Sequence, residues 1–261
     1  MQDLLVIKIG GNIIDDEKAL AAFLAHFSSL PKKKILVHGG GKMATRMADQ
    51  LGISQKLIEG RRITDAETLR VITMVYAGYI NKNIVAQLQS HHCNAVGLSG
   101  ADGDSVLAHK RVHPVIDYGF VGDVDLINVP LFTMLLDQDL TVVMAPITHD
   151  QQGQLLNTNA DTMAQEIAKA LSQEYAVQLV YIFEKPGVLQ DVADETSVIR
   201  KITATTFAEL KAAGAINAGM IPKLDNAFTA VQSGVKKVTI GAAGDLEELI
   251  RGNKGTTIIH E

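Results

Sequence analysis

Lys8 sits within an apolar run, residues 4–9, and is followed at once by Ile9 and the pair Gly10-Gly11. An unpaired ammonium inside a buried strand is costly. At the strand's end, beside two glycines, it can instead reach into a phosphate site. Glycine lets backbone N–H groups come close to a ligand and converge on an anion. The arrangement recurs at His38-Gly39-Gly40-Gly41, where a second apolar run, residues 35–37, passes into a helical stretch with Met43, Met47 and Leu51. Helix N-termini favour phosphates and oxyanions because their first N–H groups lack intrahelical partners. A tight strand-to-helix turn needs glycine anyway, so one pair alone says little. Two pairs after two strands place an anion site at the carboxyl edge of a sheet, where α/β proteins bind ligands.

Further charged groups lie downstream. Lys223 follows Gly219-Met220-Ile221-Pro222, near a helix start, and taken alone reads as a surface residue. In Asn157-Thr158-Asn159-Ala160-Asp161, Asn159 is a natural N-cap and Asp161 a first-turn carboxylate, which leaves Asn157 unassigned. Arg62, in Arg61-Arg62, is a fork-shaped donor suited to a carboxylate. Other chemistries fit less well. His91-His92-Cys93 points three consecutive side chains apart, and no second ligand group is spaced to complete a metal site. Ser99 does not stand in a G-x-S-x-G elbow. There is no G-x-x-x-x-G-K-[ST] phosphate loop, because Met43 follows Lys42. Residues 39–44 satisfy G-x-G-x-x-A with Glu59 about 20 residues on, the dinucleotide fingerprint. Residues 55–59 make a poor strand for that unit, however, and Gly10-Gly11 would be left without a role.

The elements that must hold these groups alternate along the chain. Residues 4–9, 35–37, 95–98, 140–146, 177–183, 238–241 and 256–259 read as strands. Helical patterns fall at Leu20, Phe23, Leu24 and Phe27, and at residues 131–136, 159–171, 219–232 and 246–250. Thr64-Asp65-Ala66-Glu67 has the capping-box pattern and opens a long helix reaching about Gln89, its Met and Leu stripes turned to the core. Residues 105–127 lack a helical period and suggest hairpins, and Lys32-Lys33-Lys34 reads as a solvated loop. The alternation predicts an α/β fold, a largely parallel sheet with helices on both faces. Within one domain, residues 1–261, a change of pattern near 171–176 divides two lobes.

Composition narrows the class. The 261 residues are 47% hydrophobic and 20% charged, enough for a sizeable core and unlike a disordered chain. A net charge of -5 argues against nucleic acid as a partner. Cys93 is the single cysteine, which fits a reducing compartment. No apolar run approaches the roughly 18 residues of a membrane span, and the N-terminus does not read as a signal peptide. A cytoplasmic protein is expected.

Five segments carry a family resemblance: Lys8-Ile9-Gly10-Gly11, His38-Gly39-Gly40-Gly41, Gly60-Arg61-Arg62-Ile63-Thr64, Asn157-Thr158-Asn159-Ala160-Asp161 and Gly219-Met220-Ile221-Pro222-Lys223. In this order and spacing they resemble the amino acid kinase family, and within it the acetylglutamate kinases. The resemblance implies a three-layer αβα sandwich, with an acyl-amino-acid and dimerisation lobe over about residues 1–172 and an ATP lobe over 173–261. It implies ATP-dependent phosphorylation of the γ-carboxylate of N-acetyl-L-glutamate, the second step of arginine biosynthesis. Arg62 and Asn157 would clamp the α-carboxylate. Lys8 and Lys223 would act on the phosphoryl group, with Asp161 holding both lysines. Gly10, Gly11, Gly39 and Gly40 would offer N–H groups to the phosphates and the attacking carboxylate, with Mg²⁺ held mainly by the nucleotide rather than by a protein site. The seven residues before Lys8 match the short, homodimeric, arginine-insensitive members. Two segments depart from the family pattern. Phe183-Glu184-Lys185-Pro186-Gly187 has Glu where Asp is usual and Lys where an apolar residue is usual, and Ala101 stands where Lys is frequent. The alternatives are a kinase of another acylated glutamate, such as N-succinylglutamate, and a non-catalytic ligand sensor on the same fold.

Overall fold

A computed structural model of the chain describes residues 1–58, 61–212, 216 and 220–259. It opens with strand β1 (Gln2–Ile9), helices α1 (Gly11–Ile14) and α2 (Glu17–Ser29), strand β2 (Lys33–His38) and helix α3 (Gly41–Gln50). A hairpin of β3 (Lys56–Ile58) and β4 (Arg61–Ile63) precedes α4 (Ala66–Thr73), a π-helical segment (Met74–Ile80) and α5 (Asn81–Ser90). Next come β5 (Ala95–Leu98), β6 (Val106–Lys110), β7 (Gly122–Ile127), α6 (Val129–Asp137) and β8 (Thr141–Met144). Then follow β9 (Ile147–His149), β10 (Leu155–Asn157), α7 (Ala160–Leu171) and β11 (Tyr175–Phe183). The chain continues through β12 (Lys201–Ile202), α8 (Ala204–Ala212), α9 (Ile221–Gln232), β13 (Lys237–Ala242), α10 (Leu246–Arg251) and β14 (Thr256–Ile258).

The main sheet has eight strands in the order β12-β14-β13-β11-β1-β2-β8-β5. From β13 to β5 every neighbouring pair is parallel, and β14 runs antiparallel to β13. Strands buried on both faces must be apolar throughout, and β1 is buried from Leu4 to Ile9. Alternation then sorts its side chains. Leu4 and Val6 enter one core with Met163 and Ile167 of α7 and Leu224 and Phe228 of α9. Leu5, Ile7 and Ile9 enter the other, with Phe23 and Phe27 of α2 and Ile84 and Leu88 of α5. These two cores on opposite faces make the expected αβα sandwich. The same parity puts Lys8 on the face covered by α7 and α9.

Several local expectations are corrected. Asp65, not Thr64, caps the long helix: its carboxylate accepts from the Thr68 N–H at 2.8 Å. The helical run continues to Ser90, but through a π-helical segment, and Met74 is exposed rather than core. Residues 56–58 do form a strand, because Arg61–Ile63 folds back to pair with it. The hairpin expected over residues 105–127 is β6 with β7, and β9 and β10 extend it into a separate four-stranded sheet. Lys33 and Lys34 belong to β2 rather than to a loop. The Lys34 ammonium donates to the carbonyls of Ser28 and Leu30 at 2.9 and 2.8 Å, closing the end of α2, and Lys33 donates to Leu136 O at the end of α6.

Candidate active site

Parallel register brings the strand ends together. Ile9 lies opposite His38 on one side and Ile182 on the other, and Val37 lies opposite Met144. The turn after β2 is locked onto β1 by the Gly39 N–H, which donates to Ile9 O at 3.0 Å. Gly40 has φ +150°, and a Cβ there would collide with Ile80 and lie 3.1 Å from the Tyr76 ring, so only glycine fits. His38 is wholly buried. Its Nδ1 is 2.8 Å from Gly39 O and its Nε2 3.3 Å from Asn81 Nδ2. Burial pushes its pKa down to about 4, so the ring is neutral at working pH.

Three charged groups meet on the α7 face. Asn159 caps α7 by accepting from the N–H groups of Asp161 and Thr162 at 2.9 and 3.0 Å, which fixes Asp161 in the first turn. Lys8 Nζ lies 2.7 Å from Asp161 Oδ1, and Lys223 Nζ, from the first turn of α9, lies 3.3 Å from Oδ2. The Lys8 and Asp161 side chains are only 10% and 15% exposed. Burial alone would raise the Asp161 pKa, but the two ammonium groups reverse this and hold the carboxyl below its ordinary range. Burial lowers the Lys223 pKa; Asp161 raises it and Lys8 lowers it, leaving it below the ordinary lysine value. Lys8 and Lys223, remote in sequence, therefore share one carboxylate. Two aromatic residues of β11 that sequence reasoning did not select complete the cluster. The Tyr181 hydroxyl donates to Asp161 O at 3.2 Å, and the Phe183 ring stands beside both ammonium groups.

Next to this cluster opens a cavity of about 400 Å³, lined by Gly39, Gly40, Arg62 and Asn157 together with Tyr76 and Arg111. Arg62 is held in place: its Nη2 donates to Gly41 O at 3.1 Å and Thr45 Oγ1 at 2.9 Å, and its Nη1 to Gln55 Oε1. Asn157 Nδ2 donates to Thr64 Oγ1 at 3.0 Å, so the threonine outside the helix cap orients the asparagine instead. Gly39 lines the cavity but commits its own N–H to Ile9. Gly10 and Gly11 form the entry to α1, whose first-turn N–H groups lack intrahelical partners. Tyr76 and Arg111 gave no sequence signal: the first lies within the long helical pattern and the second within residues 105–127, which suggested only hairpins. Arg111 is in fact gripped by Asp123, with its Nε 3.1 Å from each carboxylate oxygen.

The remaining candidates have structural work or fall outside the described residues. The Ser99 hydroxyl bonds Asp102 at 2.8 Å, and Cys93 is buried with its Sγ 3.4 Å from Thr141 Oγ1. Among the described residues no group of three or more His, Cys, Asp or Glu side chains could hold a metal ion, and no helix is long and apolar enough to cross a membrane. In the divergent segment after β11, Lys185 pairs with Glu195 at 2.8 Å. Glu59, Gly60 and Gly219 lie outside the described residues.

Comparison with known proteins decides the family. The model of the amino acid kinase family matches residues 3–242. The chain belongs to the amino acid kinase family. Within this family, a Cytophaga hutchinsonii protein named acetylglutamate kinase is 56% identical over 99% of both chains. A Phocaeicola vulgatus protein of the same name is 53% identical over 95% of this chain and 96% of its own. A crystal structure of a Streptococcus mutans protein superposes with a TM-score of 0.81 at 28% identity, covering 99% of each chain. The match spans both sides of the lysine–aspartate cluster, so the family likeness is not confined to one motif.

Proposed function

We propose that this family member is an acetylglutamate kinase: it transfers the γ-phosphoryl group of ATP to the γ-carboxylate of N-acetyl-L-glutamate, giving N-acetyl-L-glutamyl 5-phosphate, the second step of arginine biosynthesis. The observation that carries the reading is the single carboxylate of Asp161 shared by Lys8 and Lys223 beside a cavity holding Arg62 and Asn157. A side-chain carboxylate, with a reference pKa of about 4.3, is ionised at neutral pH and attacks without a general base. The barrier is bringing an anion up to a polyanion, so positioning and charge stabilisation make up most of the catalysis.

On this reading Arg62 and Asn157 hold the substrate α-carboxylate, leaving the γ-carboxylate directed at the lysines. Lys8 and Lys223 take up the charge on the phosphoryl group as its bond to ADP breaks and its bond to the carboxylate oxygen forms. Asp161 holds the two ammonium groups in place between turnovers. Gly10 and Gly11 direct N–H groups to the nucleotide phosphates, and the Gly40 turn offers N–H groups to the attacking carboxylate, with Gly39 as a wall of the cavity. Lys8, Lys223 and the Gly10-Gly11 turn fit a magnesium–nucleotide whose metal is held mainly by phosphate oxygens. When bound, Mg²⁺ neutralises phosphate charge. Residues to about 172 make the acyl-amino-acid lobe and residues 173–261 the ATP lobe, in a cytoplasmic homodimer.

Trapping with hydroxylamine tests the reading: ATP-dependent hydroxamate with N-acetyl-L-glutamate is expected, and none with any acylated glutamate refutes it. The second reading is N-succinyl-L-glutamate as substrate: Arg111 lines the same cavity, although its Nε and Nη2 are already engaged by Asp123 and its charge is largely offset there. A higher kcat/KM for the succinyl than for the acetyl substrate would select it. Stabilisation by both ligands without turnover would instead mark a sensor.

A further inference from the structure

Two ammonium groups beside one carboxylate leave an excess positive charge, withdrawn from water at Lys8 and partly so at Lys223, and one anion does not neutralise two cations. Asp161 sits 2.7 Å from Lys8 and 3.3 Å from Lys223. The last residue of β11 supplies a second attraction. Lys223 Nζ stands 4.1 Å from the centroid of the Phe183 ring, and Lys8 Nζ stands 6.0 Å from the same centroid. Both lie within the roughly 6 Å over which a ring face attracts a cation. The ring is itself held. It stacks on Tyr181, two residues earlier on the same face of the strand, with centroids 6.3 Å apart and planes 19° apart. Tyr181 is buried and donates its hydroxyl proton to the Asp161 carbonyl at 3.2 Å. One strand end thus ties together the ring, the helix that carries the anion, and both cations.

We propose that Phe183 is a positioning residue of the reaction centre, its ring face holding the Lys223 ammonium, and at longer range that of Lys8, where the phosphoryl group passes. Among the described residues, the charged groups that face Lys223 are Asp161 from α7 and Lys8 from β1; Glu166, further along α7, is engaged by Lys169 at 2.9 Å. Leucine fills similar space without a ring quadrupole. Phe183→Leu therefore lowers kcat about tenfold and leaves KM for N-acetyl-L-glutamate within about twofold. The basic limb of its kcat–pH profile moves to lower pH, since the charged form of Lys223 has lost a favourable contact. Phe183→Trp keeps a ring face and keeps kcat within about threefold of the parent. A ring that only fills space predicts something else: a lower Tm in Phe183→Leu with kcat and the basic limb unmoved.

The inference rests on the acyl-phosphate reading, so its closing experiment needs no turnover. In proton–carbon NMR spectra of the whole protein labelled at lysine, the Lys223 ε-methylene protons, assigned with Lys223→Arg, should lie upfield of the other lysines through the ring current. They should return to the ordinary position in Phe183→Leu. Ordinary Lys223 shifts in the parent protein would overturn the proposal, even if the leucine variant fails to fold. An upfield shift in a parent that forms no hydroxamate would uphold the contact and remove the acyl-phosphate reading instead.

Discussion

Replacing Asp161 by asparagine deletes one negative charge with almost no change of shape. In the parent this carboxylate is 15% exposed and lies 2.7 and 3.3 Å from two ammonium groups. Removing one partner from a buried pair costs about 3–5 kcal/mol, because the other charge is left uncompensated. The lower end applies here: the Lys223 side chain is 32% exposed and can turn toward water. A loss of about 3 kcal/mol, at roughly 2–4 °C per kcal/mol for a domain near this size, lowers Tm by about 6–12 °C. The kinetic loss is larger, on the order of 10²–10³ in kcat, because the two lysines then repel each other away from the phosphoryl position. The arrangement also dictates a sign that general destabilisation does not. An added anion takes the place of the missing carboxylate, so saturating phosphate raises the Tm of Asp161→Asn more than that of the parent. Thermal unfolding with and without phosphate, and kcat from hydroxamate formation, measure each part. Parent-like kcat and Tm, or equal phosphate stabilisation of the two proteins, would refute the shared-carboxylate geometry.

Four further outcomes are expected. Lys8→Ala lowers kcat on the order of a hundredfold or more with a modest change in KM, measured by steady-state hydroxamate formation; an intact kcat removes its transition-state role. Arg62→Ala raises KM for the acyl-amino acid by about 10- to 100-fold, the worth of a charged hydrogen bond, and leaves KM for ATP nearly unchanged. Gly40→Ala cannot adopt φ +150° without strain and also collides with Ile80, so both Tm and activity fall, whereas a parent-like Tm would show the turn to be more adaptable than its geometry implies. For His38 the unfolded state takes up a proton near its ordinary value of 6.5 and the folded state only near 4, so folding stability is full above about pH 6.5 and declines as pH falls toward 4. Denaturant titrations across that range should show a shallower decline in His38→Gln.

The sheet was legible because its central strands are buried on both faces and must be continuously apolar; residues 4–9 form such a run, and the shorter run at 35–37 is marked as a strand by the glycine turn that follows it. Helix α2 announced itself through Leu20, Phe23, Leu24 and Phe27, all four of which are buried. The short strands were not legible. Residues 147–149 and 155–157 are too brief to show a period, and residues 56–58 are largely exposed, with Leu57 open to water, so their pairing comes from the hairpin rather than from burial. The π-helical segment keeps the spacing of an ordinary helix, so nothing in residues 74–80 betrays it. Of the site, Lys8 stood out as a charge in a buried strand, whereas Asp161 and Lys223 each had an ordinary explanation from their own neighbours and were linked only through the family resemblance; the fold brings them within 3.3 Å of one another. Lys34 is the counter-example: it too is a buried strand lysine, but its partners are the carbonyls that end α2. Charge in an apolar run therefore predicts a partner, not the kind of partner. Phe183 was not picked out for a related reason, since an aromatic residue beside apolar neighbours reads as core whichever face it shows to a cation.

The most direct test of two remote lysines acting on one phosphoryl group is a crystal structure of the protein with ADP, aluminium fluoride and N-acetyl-L-glutamate. Lys8 Nζ and Lys223 Nζ should both lie about 2.7–3.2 Å from the fluoride or bridging oxygen atoms, with Asp161 still between them. A complex in which either lysine turns away from the planar fluoride, with Asp161 paired elsewhere, would contradict the account.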